Sequence, residues 1–234
     1  MIGQDSVRKY LLYAIGEIAL VAVGILLALQ VNNWNERRKQ DKLEKNLLIE
    51  LRQTIVSDYR LLNMAIEGNK RIQNSNKIIL SHLEQDLPYH DSMAFHFEYS
   101  NVWWKLLIST NVFEKAKLYG LDFIENDTTR NMLSDLYEKN VAFGETMDER
   151  QSLYFYTTVT PILIELFESI DKTWYNPENG NVPKDYDQLK RNETYKSILR
   201  TSIGQRGYYN DWLNLTLSSM RELENRLGKE IELR

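Results

Sequence analysis

No cysteine occurs in this chain of 234 residues. Disulfides, zinc–thiolate sites and thiol nucleophiles are therefore excluded together. Glycine and proline are sparse, ten and four in all, which fits a mainly helical chain with few tight turns. Histidine is sparser still. His82, His90 and His96 fall around one turn, but His90 and His96 are not at i,i+4 spacing and no acidic residue completes a metal-ligand pattern. There is no excess of positive charge: 29 Lys and Arg against 33 Asp and Glu leave a net −4. That balance lacks the electrostatic footprint of a nucleic-acid binder, so no nucleic-acid partner is expected. P-loop, dinucleotide, nucleophile-elbow and kinase-type motifs are absent from the sequence. Carboxylates are abundant, but abundance alone is no sign of acid–base catalysis. The expectation is a protein that is not an enzyme and holds no metal or cofactor.

One long apolar run stands out, YAIGEIALVAVGILLALQVNNWNE from Tyr13 to Glu36. Between Leu11 and Val31 the only strongly polar residues are Glu17 and Gln30. A helix needs roughly 20 apolar residues to cross a hydrocarbon core ~30 Å thick, so this run is expected to span a membrane. Tyr10 and Tyr13 at one end, with Asn32, Asn33, Trp34 and Asn35 at the other, read as an interface collar. A cleaved signal peptide is the alternative, but no small-x-small site follows and Glu17 interrupts the run. At about 100° per residue, Tyr13, Glu17, Val21, Gly24, Ala28 and Val31 fall on one stripe. Gly24 and Ala28 form a small-xxx-small spacing that lets helix backbones approach closely. Glu17, Val21, Gly24 and Ala28 are therefore the expected oligomerisation face. Protonated Glu17 is able to donate a hydrogen bond across such a seam.

The residues YAIGEI at Tyr13–Ile18 and GILLALQVNNWNE at Gly24–Glu36 resemble the signature of a Bacteroidota family, chiefly flavobacterial, of single-pass membrane proteins with a domain of unknown function. The resemblance covers the anchor alone. It implies a bacterial inner-membrane location and no particular activity. Members of that family carry a longer, basic N-terminal tail, which implies a periplasmic domain. This chain has only Arg8 and Lys9 before the run, and Arg37, Arg38, Lys39, Lys42 and Lys45 after it. The positive-inside count alone points the other way, to a cytoplasmic domain. A periplasmic domain is the expectation taken forward.

The organisation expected is a tail at 1–9, an anchor with its interface at 10–35, a helical domain at 36–230 and a tail at 231–234. In the domain, Leu47, Leu51, Ile55, Tyr59, Leu62, Ile66, Ile72, Ile79 and Leu83 recur at helical spacing, with bends expected at Asn32–Asn35 or Gly68. A turn is expected over Asp86–Asp91, then a helix from Ser92 to about Ser109. A short helix over Asn111–Tyr119 should end at Gly120, and Asn126-Asp127-Thr128 should open another. That helix continues to about Ile170, broken or kinked at Pro161. Lys172–Asp187 reads as a loop, with Trp174 and Tyr175 as a candidate partner or ligand surface. Asn192 should cap the last long helix, which Gly204 and Gly207 interrupt. The other aromatic clusters read as packing between helices.

The fold class is all-α: one N-terminal transmembrane helix followed by a bundle of three or four long helices. The leading functional expectation is a membrane-anchored interaction or scaffolding module that self-associates through the anchor. Its partners are the lipid bilayer, further copies of the chain and an unidentified protein. Two alternatives are a pore or proton-linked energy-coupling component using Glu17, and a ligand-sensing helical bundle lacking its own output domain.

Overall fold

The computed structural model describes residues 4–102, 107–168 and 180–233. All regular structure among them is helical, with one isolated β-bridge. The chain divides into two units, residues 1–48 and 49–234.

Helix α1 runs over Gln4–Glu84 without a break at Asn32–Asn35 or at Gly68. The expected bends are thus absent from the helical hydrogen bonding. Asparagine and glycine lower helix propensity by under about 1 kcal/mol each, which neighbouring residues readily outweigh. α1 ends in a Schellman arrangement. Asp86 takes a left-handed conformation (φ 53°), its N–H donates to Leu83 O, and the Leu87 N–H donates to His82 O at 3.2 Å. Pro88 follows and cannot continue the helix. Asp86 is also held by Lys190 at 2.7 Å, and this ion pair keeps its carboxyl below the usual range.

Helix α2 covers only Ser92–Ser100, and residues 107–110 are not helical, so the expected helix to Ser109 is corrected. Asn101 closes it by donating its backbone N–H to Glu98 O and Tyr99 O. Val102 follows as a β-branched residue, a weak helix former. Helix α3 (Asn111–Tyr119) ends at Gly120, whose φ of 84° suits a residue without a Cβ. Helix α4 (Asp127–Ser134) is capped by Asn126, which accepts from the Thr129 N–H at 3.2 Å.

From α4 the chain stays helical to Leu166, through a π-helical turn at Asp135–Val141, α5 (Ala142–Tyr154), a second π turn at Phe155–Val159 and α6 (Thr160–Leu166). Of the break or kink expected at Pro161, the break does not occur; a π turn directly precedes the proline. Proline lacks an N–H and crowds the carbonyl one turn back, and a widened turn relieves both. The Thr160 N–H reaches back five residues to Phe155 O, and the Thr157 hydroxyl donates to Leu153 O at 2.7 Å.

After α6 the backbone becomes extended at Phe167, which bridges Pro183. Glu168 N–H donates to Val182 O at 3.0 Å and Lys184 N–H to Leu166 O at 2.9 Å, so the two ends of the expected loop are tied together. Helix α7 (Tyr186–Arg191) leads into α8 (Glu193–Glu232), capped by Asn192 accepting from the Tyr195 N–H at 2.9 Å. Gly204 and Gly207 do not interrupt α8.

Three rods therefore organise the larger unit. Arg52–Glu224 at 2.7 Å and Arg200–Glu84 at 2.7 Å set α1 antiparallel to α8. Thr129–Glu230 at 2.6 Å and Tyr209–Asp148 at 3.0 Å set the α4–α6 rod antiparallel to α8 as well. Within this unit the predicted α1 stripe from Leu51 to Leu83 is the core face, with every position buried except Tyr59, which is half-buried. At one end of the bundle Ile79, Leu83, Phe97, Leu163, Phe167 and Tyr195 pack together with neighbours from α7 and α8. The Phe97 and Phe167 rings lie 5.2 Å apart, and Phe167 meets Tyr195 edge-on at 5.6 Å.

Candidate functional site

The apolar run that stands out in the sequence forms the N-terminal part of α1. Every residue from Arg8 to Leu43 is exposed, and no residue of the apolar window within this part of α1 is buried by the chain. Leu12, Ile18, Leu20, Leu26 and Leu29 all present more than half of their surface. Apolar area left in water costs roughly 25 cal/mol per Å2, so such a helix needs a non-aqueous surround. By length and composition it is able to cross a membrane: at 1.5 Å per residue, Leu11–Val31 extends over roughly 30 Å.

Glu17, Val21, Gly24 and Ala28 are exposed on this helix, and a Cβ placed on Gly24 meets nothing within 4 Å. The small-residue face is thus open. Tyr10, Tyr13, Asn32, Asn33, Trp34 and Asn35 are exposed as well. The Arg38 guanidinium lies 5.8 Å from the centre of the Trp34 ring, and Lys39 pairs with Glu36 at 2.9 Å. An aromatic ring beneath a cation, at the polar end of an apolar run, suits the headgroup level of a bilayer. Leu27, Ala28, Val31, Asn32, Trp34 and Asn35 border a shallow open notch there. Trp174 and Tyr175 lie outside the described residues, so the proposed partner loop gains no geometry from this structure.

A second feature lies inside the helical bundle, where the sequence reading placed nothing in particular. A belt of polar side chains crosses the middle of the three rods. Asn69 is fully buried and accepts from Arg206 Nη1, while its own amide donates to Ala65 O at 3.0 Å. Arg206 Nη2 donates to Val102 O at 2.7 Å. Burial pulls the Arg206 guanidinium down to about 9. Asp148 and Tyr209 sit close enough to oppose that shift. Asn76 donates to Ser202 Oγ at 2.8 Å, and Gln73 donates to Ile203 O at 2.9 Å.

Beside this belt is a cavity of about 40 Å3, partly open to solvent. Its polar wall includes Asn76, Ser100, Asn101, Tyr195, Ser202 and Arg206. Its apolar wall includes Phe155 and Val159, the two ends of the π turn before Pro161. Two polar atoms of the lining, Asn101 Nδ2 and the Tyr195 hydroxyl, are buried without a close hydrogen-bond partner, the Ser100 hydroxyl lying beside that of Tyr195. Ser100 directs its hydroxyl to Phe97 O at 2.8 Å.

This belt had a sequence signal. Leu62, Ala65, Asn69, Ile72, Asn76, Ile79 and Leu83 step by three or four along α1, so Asn69 and Asn76 belong to the core stripe. Leu199, Ser202, Arg206, Tyr209 and Leu213 do the same along α8. Polar residues inside an otherwise apolar stripe mark a buried polar layer.

The histidines are spread over ordinary contacts. His82 Nε2 lies 2.8 Å from Pro88 O, His90 Nδ1 2.8 Å from Ser92 Oγ, and His96 Nδ1 3.1 Å from Ser75 Oγ. Among the described residues no group of three His, Asp or Glu side chains is placed to share a metal ion.

Comparison with protein-family models, with curated proteins and with solved structures found no match to this chain.

Proposed function

We propose that this chain is a single-pass, membrane-anchored helical interaction module that self-associates through its anchor. The observation that carries the reading is the uncovered apolar surface of α1 between Tyr10 and Trp34. Lipid covers most of it, and a second copy covers the Glu17, Val21, Gly24 and Ala28 stripe. Van der Waals packing across small residues is the force that joins helices in a bilayer, where burial of apolar area contributes nothing between them. Glu17 lies about one turn inside Tyr13, near enough to the interface for its cost of insertion to be low, and protonation lets it donate across the seam.

The wider assignment rests on the anchor's resemblance to the flavobacterial single-pass family. It puts the anchor in a bacterial inner membrane and the helical domain in the periplasm, where its partner is another envelope protein. Orientation and membrane residence are tested together. Ser57 is exposed on α1 and the chain has no native cysteine, so Ser57→Cys gives one reporter. The protein should remain in the membrane pellet after alkaline carbonate extraction. An impermeant thiol reagent should label it in cells whose outer membrane alone is permeabilised. Labelling only after the inner membrane is lysed would place the domain in the cytoplasm, as the positive-inside count has it. Release by carbonate would remove the anchor reading.

A further inference from the structure

The cavity beside the polar belt has a donor-rich wall, and its size, charge and lining narrow what fits. One water needs about 10–15 Å3 of such space, so about 40 Å3 holds a group of three or four non-hydrogen atoms. Asn101 Nδ2 is a donor with no acceptor, and the Tyr195 hydroxyl, on a side chain only 1% exposed, has the Ser100 hydroxyl beside it but no close hydrogen bond. Leaving such groups buried and unpaired is costly, so the site favours whatever supplies acceptors. Asn76 and Ser202 already satisfy one another at 2.8 Å. Arg206, 5% exposed, adds positive charge to the same wall; Asn69 and Val102 take two of its N–H groups, and its field is what the site uses. Asp148 offsets part of that charge from the belt.

The opposite wall is apolar. Phe155 and Val159 line it from the α4–α6 rod, with Gln151 and Tyr154 at its edge, and the π turn at Phe155–Val159 widens the rod at this level. π turns of this kind recur at functional sites. A ligand with two acceptor oxygens at one end and a short hydrocarbon stub at the other matches both walls. A carboxylate is such an acceptor, with about four lone-pair positions on two oxygens. Phosphate brings four oxygens and no apolar part.

We propose that the cavity bounded by Asn101, Tyr195, Ser202 and Arg206 is a binding site for a short-chain carboxylate, its oxygens on Asn101 and Tyr195 and its alkyl group against Phe155 and Val159. The proposal stands independently of the anchor seam.

The test uses the full-length protein in detergent with sodium acetate as probe, whose four non-hydrogen atoms match the cavity, and sodium chloride at the same ionic strength as control. Binding is followed by titration calorimetry and by the melting temperature. Acetate should bind saturably and raise the melting temperature where chloride does not. Tyr195→Phe removes only an oxygen with no close partner, so the unliganded variant should be at least as stable as the native chain. It should nonetheless weaken acetate binding about tenfold, the loss expected for one hydrogen bond to a charged group. Ser202→Leu, which fills the cavity, should abolish the response while circular dichroism still reports a helical fold. Identical curves in acetate and chloride would mean that the cavity holds water only and would overturn the proposal. So would an undiminished acetate response in both variants.

Discussion

Asp58 offers a stringent test of how this bundle is assembled. It lies on α1 with 3% of its surface exposed and accepts a hydrogen bond from the Ser109 backbone N–H at 3.1 Å. That bond favours the ionised form, but burial outweighs it and pushes the carboxyl from 3.8 up to about 6. At about 1.36 kcal/mol per pH unit, this displacement is worth roughly 3 kcal/mol. The surroundings relax around a newly charged buried carboxylate, so about 1–2 kcal/mol is the expected effect. The sign follows from proton binding. Between pH ~4 and ~6 the folded chain holds a proton here that the unfolded chain has released, so stability falls as pH rises through that window and stays lowered above it. Asp58→Asn keeps an acceptor for Ser109 and removes the ionisation. The variant should equal the native chain below pH ~4 and exceed it by about 1–2 kcal/mol at pH 7. Urea unfolding of both proteins in detergent, followed by circular dichroism at several pH values, measures the difference while other titrating groups cancel. A variant less stable than native at pH 7, or a difference that does not change with pH, would refute the reasoning.

Two further perturbations probe the packing. A Cβ on Gly144 would come within 2.2 Å of the Trp212 ring, which is itself buried, so Gly144→Ala should destabilise the fold by about 1–3 kcal/mol in a chemical melt. Replacing both residues, Gly144→Ala with Trp212→Leu, should cost less than the two single changes added together. Helix caps should rank by their partners. Asn192→Ala removes one cap bond to Tyr195 N–H and should cost about 1 kcal/mol. Asn126→Ala should cost more, because Asn126 Oδ1 also accepts from Arg226 at 3.0 Å and thereby ties α4 to α8.

Local chemistry made much of the fold readable. Asn126, Asn192 and Gly120 each occupy the helix end that their side chain, or lack of one, suits. The α1 stripe is the core face because burial follows the helical period. Tertiary context decided the rest. α2 stops at Ser100 although the aromatic-rich sequence continues, since periodicity says little about where a short helix ends. Pro161 sits within a continuous rod because a π turn absorbs its missing hydrogen bond, an outcome that Thr157-Thr158-Val159 signals only as weak helical character. The polar belt matches no motif, and Asn69, Asn76 and Arg206 taken singly carry no signal. Their shared register along two facing stripes carries the information. The anchor face shows the opposite limit: its apolar residues stand out in the sequence, but what covers them lies outside a single chain.

The measurement that bears most directly on the self-association claim is a cysteine scan of the anchor in native membranes. With no native cysteine in the background, single substitutions from Ile18 to Val31 can be oxidised and read as disulfide-linked dimers. The account predicts strong crosslinking at Val21, Gly24, Ala28 and Val31, weak crosslinking at Ala22, Val23 and Leu26, and loss of the pattern with Gly24→Leu on the same chain. A maximum on another face, or uniform weak crosslinking at every position, would contradict it and leave the helix as a plain lipid anchor.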